Sequence, residues 1–398
     1  MQKFEKHSPV VVTEVTTKHE LRQFMQYPNR LYADNPNYIP SFYGDDLSDW
    51  TPGKNPAFDY CEARCWLAWR DGEIVGRIGA ILSHKANDKF GTHRMRFSQV
   101  DFVDDSEVSA ALFGMVERWA REKGCDQVHG PLGFTDMDRE GMLVEGFDRR
   151  SLFFTNYNAP YYLEHLTRLG YRKDVDWIEY RITVPAPGST EAERLHKLSE
   201  FILKRKNLHV ATVHHKSEYG PFVRQVFELV NAAYAPLYGV VELSDEQIER
   251  YANKFIPLVD PDFVCFVLDE QDKLVAFGVT ALDPSVALKH SDGRLFPFGW
   301  AGVLNDLHHS DTLIMLLTAV RPDLQTEGIN AVMMDHVCQS CNRHGVQFAE
   351  TGPMLELNDH ILAQWKRLEK EQHKRRRCFI KDLNHDVNAA NTAAAAQA

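Results

Sequence analysis

The sequence has no apolar run long enough to cross a bilayer; its longest, LIMLLTAV at 313–320, predicts a buried strand instead. The opening MQKFEKHSPVVV lacks the apolar core and small-residue cleavage site of a secretory leader, so none is expected. Cysteine is sparse and odd in number, at seven, which excludes a disulfide framework and predicts reduced thiols in the cytoplasm. Cys338 and Cys341 form a CxxC, but no second pair follows at zinc spacing, and they read as one core and one surface thiol of a helix. His214-His215 and His308-His309 also lack ligand spacing. There is no excess of positive charge: 45 Lys and Arg against 56 Asp and Glu leave a formal charge of -11, which argues against a general affinity for nucleic acid or anionic membrane. The segment TDMDREGMLVEGFD at 135–148 begins like a calcium loop, with Asp136, Asp138, Glu140 and Gly141, but its twelfth position is Phe147 where a bidentate Glu is needed. No metal is expected.

What is present is the composition of a soluble globular protein, 44% hydrophobic and 25% charged, in a chain of 398 residues that suits two domains. The sequence also repeats itself. LRQFMQYPNRLY at 21–32 aligns with VRQVFELVNAAY at 223–234, matching Arg22 with Arg224, Gln23 with Gln225, Asn29 with Asn231 and Tyr32 with Tyr234. Two hairpins follow in the same order, CWLAWRDGEIVGRIGAILS at 65–83 and CFVLDEQDKLVAFGVTAL at 265–282. Next come paired helix ends that run through a short strand to Gly-Pro, at Pro131 and Pro353, and finally a helix with a closing hairpin in each copy. The expected fold is α/β, a mixed sheet with helices on both faces, built twice. The expected domains are 1–184 and 193–383, with a linker at 185–192 and a disordered tail at 384–398.

The copies differ most after the fourth strand. In the second, the strand enters RPDLQTEGINAVMMDH, a turn with Gln325 and Gly328 opening a long helix, where successive backbone N–H groups and the helix dipole favour an anion. In the first, Asp104, Asp105 and Glu107 occupy the turn and would repel a phosphate.

Here the chain resembles the GNAT superfamily of acyl-CoA-dependent N-acyltransferases, and bacterial tandem GNAT proteins in particular. The family's Gln/Arg-x-x-Gly-x-Gly/Ala motif cradles the CoA pyrophosphate; Gln325 and Gly328 match it, Asn330 replaces the second small residue and Ala331 follows. The resemblance implies two GNAT domains, the first without the pyrophosphate loop. It implies acetyl-CoA or a longer acyl-CoA as co-substrate, held by Ala319, Val320, Gln325, Thr326, Glu327, Gly328, Ile329, Asn330 and Ala331, with Asn358 after the fifth strand. The backbone of Thr318 to Val320 would lie near the thioester.

The implied reaction is attack of a primary amine on that thioester, an acyltransferase of the EC 2.3.1 type. It requires a base, a donor for the carbonyl oxygen and the holding of both reactants together. Candidate bases are Glu350, Glu356 and Asp306. The family's tyrosine acid is not retained, since Trp365 and Leu166 stand at its positions; Tyr234 and Tyr238 are candidates to act at or line the acceptor site. Asp138 is a further catalytic candidate, and Asp136 and Glu145 are candidates to attract the amine. The run HKRRR at 373–377 reads as a turn between exposed strands. NYIPSFYGDDLSDW and TNYNAPYYLEHL either wall an apolar channel for a lipid-like acceptor or belong to the core. Two other readings share the fold: a non-catalytic acyl-CoA sensor, and a tRNA-dependent aminoacyl transferase, which the net acidity opposes.

Overall fold

A computed structural model describes residues 8–383, so the expected tail at 384–398 lies outside the described residues. In chain order the elements are β1 (Val11–Glu14), α1 (Lys18–Leu31), α2 (Tyr43–Asp49), β2 (Cys61–Arg70), β3 (Glu73–Ser83), α3 (His84–Phe90), β4 (Arg94–Phe102), α4 (Ser106–Glu122), β5 (Gln127–Gly130), β6 (Met142–Glu145), α5 (Tyr162–Arg168) and β7 (Arg172–Thr183). They continue with α6 (Thr190–Lys206), β8 (His209–Val210), α7 (Gly220–Tyr234), α8 (Asp245–Phe255), β9 (Val264–Leu268), β10 (Leu274–Leu282), α9 (Ser285–His290), α10 (Gly299–His309), β11 (Thr312–Val320), α11 (Asn330–His344), β12 (Phe348–Glu350), β13 (Met354–Leu355), α12 (Asp359–Ala363) and β14 (Lys370–Asp382).

Two compact units result. The first takes the chain to Asp176 and again from Arg376; the second is Trp177–Arg375. The division does not follow the linker expected at 185–192, because two strands cross it. Residues Ile178 to Thr183 of β7 pair with β13 and β12 in the second unit, while Phe379 to Asp382 of β14 pair with β5 in the first. Each closing hairpin expected from the sequence is thus largely one long strand.

In the first unit β1, β2, β3 and β4 are antiparallel neighbours and β4 pairs parallel with β5. The Asp-Gly turn forms as expected, with both Asp71 and Gly72 at positive φ (52° and 81°), the geometry that matches the twist of a two-residue hairpin. α1 starts at a reciprocal cap: the Glu20 backbone N–H donates to Thr17 Oγ1, and the Glu20 carboxylate accepts from the Thr17 N–H at 2.8 Å. α4 covers one sheet face, its Phe113 packing with Trp66, Phe97 and Phe102, and α1 covers the other, its Phe24 packing with Trp50 and Leu67. The aromatic segments at 37–50 and 155–166 belong to this unit's interior, since Tyr38, Phe42, Trp50, Tyr157 and Tyr162 are all buried.

In the second unit the order is β7, β12, β11, β10, β9, β8, with β11 and β12 parallel and the other pairs antiparallel. α6 and α11 pack together over Val267, Val275 and Ile329, and α7 rests on β10 and β11. β11 is the strand expected at 313–320, but its middle residues, Met315 to Thr318, are only half-buried. The reason is the opening described next.

Candidate functional site

β11 and β12 pair only from Thr312↔Phe348 to Ile314↔Glu350. Past that point β11 bends. In its pairing with β10, Val279 faces Leu317 and Thr280 faces Met315, so Leu316 is an extra residue, a bulge that bends the strand and leaves its backbone out of the ladder. The parallel strands part there and leave a cleft of about 170 Å³. Its lining is apolar: Met315, Met333, Met334, Val337, Cys341 and Trp365 are among the walls, with Thr318 and Tyr234 at the parted strands and Asn330 at the start of α11. Methionine side chains reshape easily around an apolar ligand, so such a wall suits a flexible chain better than a rigid ring.

The turn expected to hold a pyrophosphate lies directly beyond β11. It spends the N–H groups of Leu324, Glu327, Ala331 and Val332 on local carbonyls, and among the described residues the N–H groups of Gly328, Ile329 and Asn330 have no backbone acceptor. These are the donors that open α11, where the helix dipole adds to their pull on an anion. Gly328 sits at φ 81°, a conformation that calls for glycine, and a Cβ there would make a tight contact of 3.2 Å with Ile202 Cδ1. The Glu327 carboxylate is paired with Lys206 at 2.7 Å, and the Gln325 amide donates to the Val320 carbonyl at 3.3 Å. Ala319 and Val320 close β11, Thr326 lies in the turn, and Asn358 caps α12 by accepting from the Ile361 N–H.

The corresponding place in the first unit is closed. Asp105 caps α4 with its own carboxylate, accepting from Glu107 and Val108, and is held by Arg70 at 2.5 Å. The donors an anion would use are therefore taken by the chain itself. Tyr162 stacks on Phe102 at 4.1 Å and accepts the Phe102 N–H, filling the end of β4 with packed rings.

Side chains alternate across a strand, so Ala349 and Thr351 line the cleft while Glu350 points to the sheet's other face. Glu350 is the last residue of β12 paired to β11, which puts it at the vertex where the strands part. Its Oε2 lies 3.2 Å from Lys374 Nζ and 3.7 Å from His373 Nε2. Lys374 also reaches Glu179 Oε2 at 3.2 Å, and both Lys374 and Glu179 have fully buried side chains. Burial pushes the Glu350 carboxyl above its ordinary range; Lys374 opposes the shift, while Asp283 and Glu179 add to it. This cluster corrects the reading of HKRRR as an exposed turn: it lies within β14, with His373, Lys374 and Arg376 buried. Sequence reasoning missed Lys374 and Glu179 because a charge run signals solvent unless its distant partners are known.

Of the remaining candidates Tyr234 lies at the cleft, and Tyr238, Glu356 and Asp306 fall outside its lining. Tyr234 closes α7 and donates its hydroxyl to the Thr318 carbonyl at 2.8 Å, at the parted strands. Tyr238 packs edge-on against Trp177 at 6.1 Å. Glu356 is paired with Arg375 at 2.9 Å, and Asp306 accepts the Ala287 N–H at 2.7 Å. Trp365 donates its indole N–H toward Met354 Sδ, so it is a wall of the cleft. Cys338 and Cys341 are both buried on α11, and burial raises their thiols to about 11 and about 12, away from the thiolate form a metal needs.

In the first unit Asp138 accepts from the Phe134 and Thr135 N–H groups and holds the turn that follows β5. Glu145 is exposed. Asp136 is half-buried, and burial together with Asp138 raises it to about 6; Glu140 is raised well above its usual range by burial and Asp136. Between the ordinary Asp value and about 6 the folded state keeps a proton that the unfolded state has released, so stability falls as pH rises through this window. Asp136→Asn is therefore expected to raise the melting temperature above pH 6 and to leave it unchanged in acid, which a melting series across pH would read. Among the described residues, His129, Asp174 and Cys378 place ligand atoms within 4.8 Å of one another. Arg94 lies 3.7 Å from Asp174 and already supplies the positive charge there.

No family model matches the chain. It is 27% identical to protein YghO of Escherichia coli (strain K12) over 379 residues, 94% of this chain and 95% of that one. It is 29% identical over 299 residues to a protein of Caulobacter vibrioides (strain NA1000 / CB15N) named bacterial ceramide synthase, covering 74% of this chain and 75% of that one. Among solved structures it is similar to a tandem GNAT protein from the clavulanic acid biosynthesis pathway, with a TM-score of 0.53 at 13% identity, covering 94% of this chain and 98% of the other. The chain therefore has the tandem GNAT fold expected from its duplicated sequence.

Proposed function

We propose that the second unit transfers a fatty acyl group from coenzyme A to the primary amine of a lipid-like acceptor. The observation that carries this reading is the continuity of the unspent N–H groups at Gly328 to Asn330 with a methionine-lined cleft where β11 and β12 part. The donors suit a pyrophosphate; the cleft suits an apolar chain. Acyl-CoA brings the acyl group as a thioester, whose C–S bond breaks as the C–N bond forms; the coenzyme A thiolate leaves and takes up the second proton, released by the acylated nitrogen, to depart as the free thiol. Glu350, at the vertex on the other face, accepts the proton that the acceptor ammonium must lose before its nitrogen can bond the acyl carbon. Tyr234 fixes the Thr318 end of the parted strand. The relative named a ceramide synthase favours a long-chain acceptor over a small one.

A chain-length series of acyl-CoA in a thermal-shift assay, followed by thiol release with candidate amines, tests the reading. Each methylene buried is worth about 0.8 kcal/mol, so affinity is expected to rise roughly fourfold per methylene until the cleft is full. Met334→Trp adds bulk to a half-buried wall and is expected to end that rise at a shorter chain while sparing acetyl-CoA. A flat series, or no shift with any acyl-CoA, would sink the assignment.

A further inference from the structure

The polar side chains in the wall of the cleft mostly spend their hydrogen bonds on the protein. Thr280 donates to the Phe263 carbonyl at 2.7 Å, Thr318 to the Phe277 carbonyl at 3.2 Å and Tyr234 to the Thr318 carbonyl at 2.8 Å. Thr351 accepts the Tyr180 N–H at 2.9 Å, and Asn330 stands at the mouth, beside the N–H groups that open α11. Gln364 is different. It lines the cleft, and its Nε2 is buried with no hydrogen-bond partner among the described residues. Its Oε1 has none among them either, so exchanging the two ends of the amide would leave a buried atom equally alone.

A buried amide without a partner is costly, and the cost is greatest when an alkyl chain fills the space before it and water cannot enter. A cleft built for plain hydrocarbon alone would be served better by leucine or methionine at this place. The amide therefore points to a ligand that brings an oxygen to it.

Position says which part of the ligand carries that oxygen. The parted edge of β11 offers peptide groups to the polar arm of a carrier, since the bulge at Leu316 leaves them out of the ladder. Gln364 belongs instead to the apolar wall, in the turn after α12, with Ile361, Trp365 and Leu368 around it in the chain. Trp365 packs with Val337 and Cys341. At the rise of an α-helix those two residues lie about 10 and 16 Å along α11 from Asn330, well inward of the anion donors. The methionine-lined stretch beside them is where the acyl chain runs.

We propose that Gln364 selects an acyl chain bearing a hydroxyl group, with Nε2 donating to that oxygen inside the cleft. This selection rests on the acyl-CoA function proposed above and adds the class of chain. The test measures binding to the full-length wild type and to Gln364→Leu by calorimetry. The ligands are free CoA, the saturated acyl-CoA of the length that binds best, and derivatives of it with one hydroxyl at successive carbons. Wild type should bind at least one hydroxylated chain about tenfold more tightly than the plain one, the difference between a hydrogen bond made and a donor left buried alone. Gln364→Leu should keep the melting temperature, bind the plain chain at least as tightly as wild type does, and lose the preference. Wild type that binds plain and hydroxylated chains alike would overturn the proposal and leave the acyl-CoA reading standing, whereas no binding of any acyl-CoA removes both. A preference that survives in Gln364→Leu would overturn it too, as would equal weakening of free CoA and of every thioester, because the oxygen would then lie on the carrier. The wild-type series is decisive by itself if the leucine variant does not fold.

Discussion

Glu350→Gln is expected to lower turnover by about 10²–10⁴-fold, the range over which a positioned general base acts, while leaving the acyl-CoA thermal shift in place. The separation of the two readouts follows from position. The donors of the turn at Gly328 to Asn330 and the cleft walls lie beyond β11 and on the α11 face, whereas Glu350 points from the vertex to the opposite face. Glutamine keeps the shape and removes only the ability to take a proton. The wild-type kcat/KM profile should show an acid limb above the ordinary Glu value, since burial raises this carboxyl. Glu179 contributes to that raising, so Glu179→Gln should move the limb to lower pH. If Glu350→Gln loses binding and turnover together, the residue is a structural partner of Lys374 and the base lies elsewhere.

The fold was legible because the chain states it twice. An Asp-Gly turn, a hairpin, a helix end and Gly-Pro recur in one order, and local turn chemistry at Asp71-Gly72 formed as the residues dictate. The strand exchange was not legible, because β7 and β14 are chosen by pairing partners far away in sequence, and no local pattern records which sheet edge a strand completes. At the candidate site the Gly328 turn could be read from spacing, since positive φ and an opening helix have a residue signature. The cleft could not, since the bulge at Leu316 is a mismatch between two strands and has no signature in either. The acids at 135–148 show what local spacing leaves out. Their place after the fifth strand made them candidates to face an amine, but no local pattern records that Asp138 accepts from the backbone of Phe134 and Thr135, or that burial pushes Asp136 toward its neutral form.

Lys374→Met is expected to destabilise the second unit by about 3–5 kcal/mol, the cost of leaving buried charge without its partner. Lys374 is wholly buried and lies 3.2 Å from both Glu179 and Glu350, so its removal strands two carboxylates in the interior. They would respond by holding protons. A carboxyl whose folded pKa rises further above its unfolded value gives stability that is present in acid and lost as pH climbs through the folded value. The deficit relative to wild type should therefore be smallest in acid and grow toward neutral pH. Lys374→Met/Glu179→Leu removes one stranded charge with it and should recover part of the loss, because an apolar pair of similar volume replaces a buried ion pair at little cost. Denaturant melts of the three proteins at acid and neutral pH measure both effects. A single variant as stable as wild type at neutral pH would mean that the buried pairs of Lys374 with Glu179 and Glu350 add nothing net to stability. Since the same lysine holds Glu350 at the vertex, the single variant should also shift the acid limb of the surviving activity upward, opposite in sign to Glu179→Gln. Those opposite displacements separate a lysine that tunes the base from one that merely fills the interior.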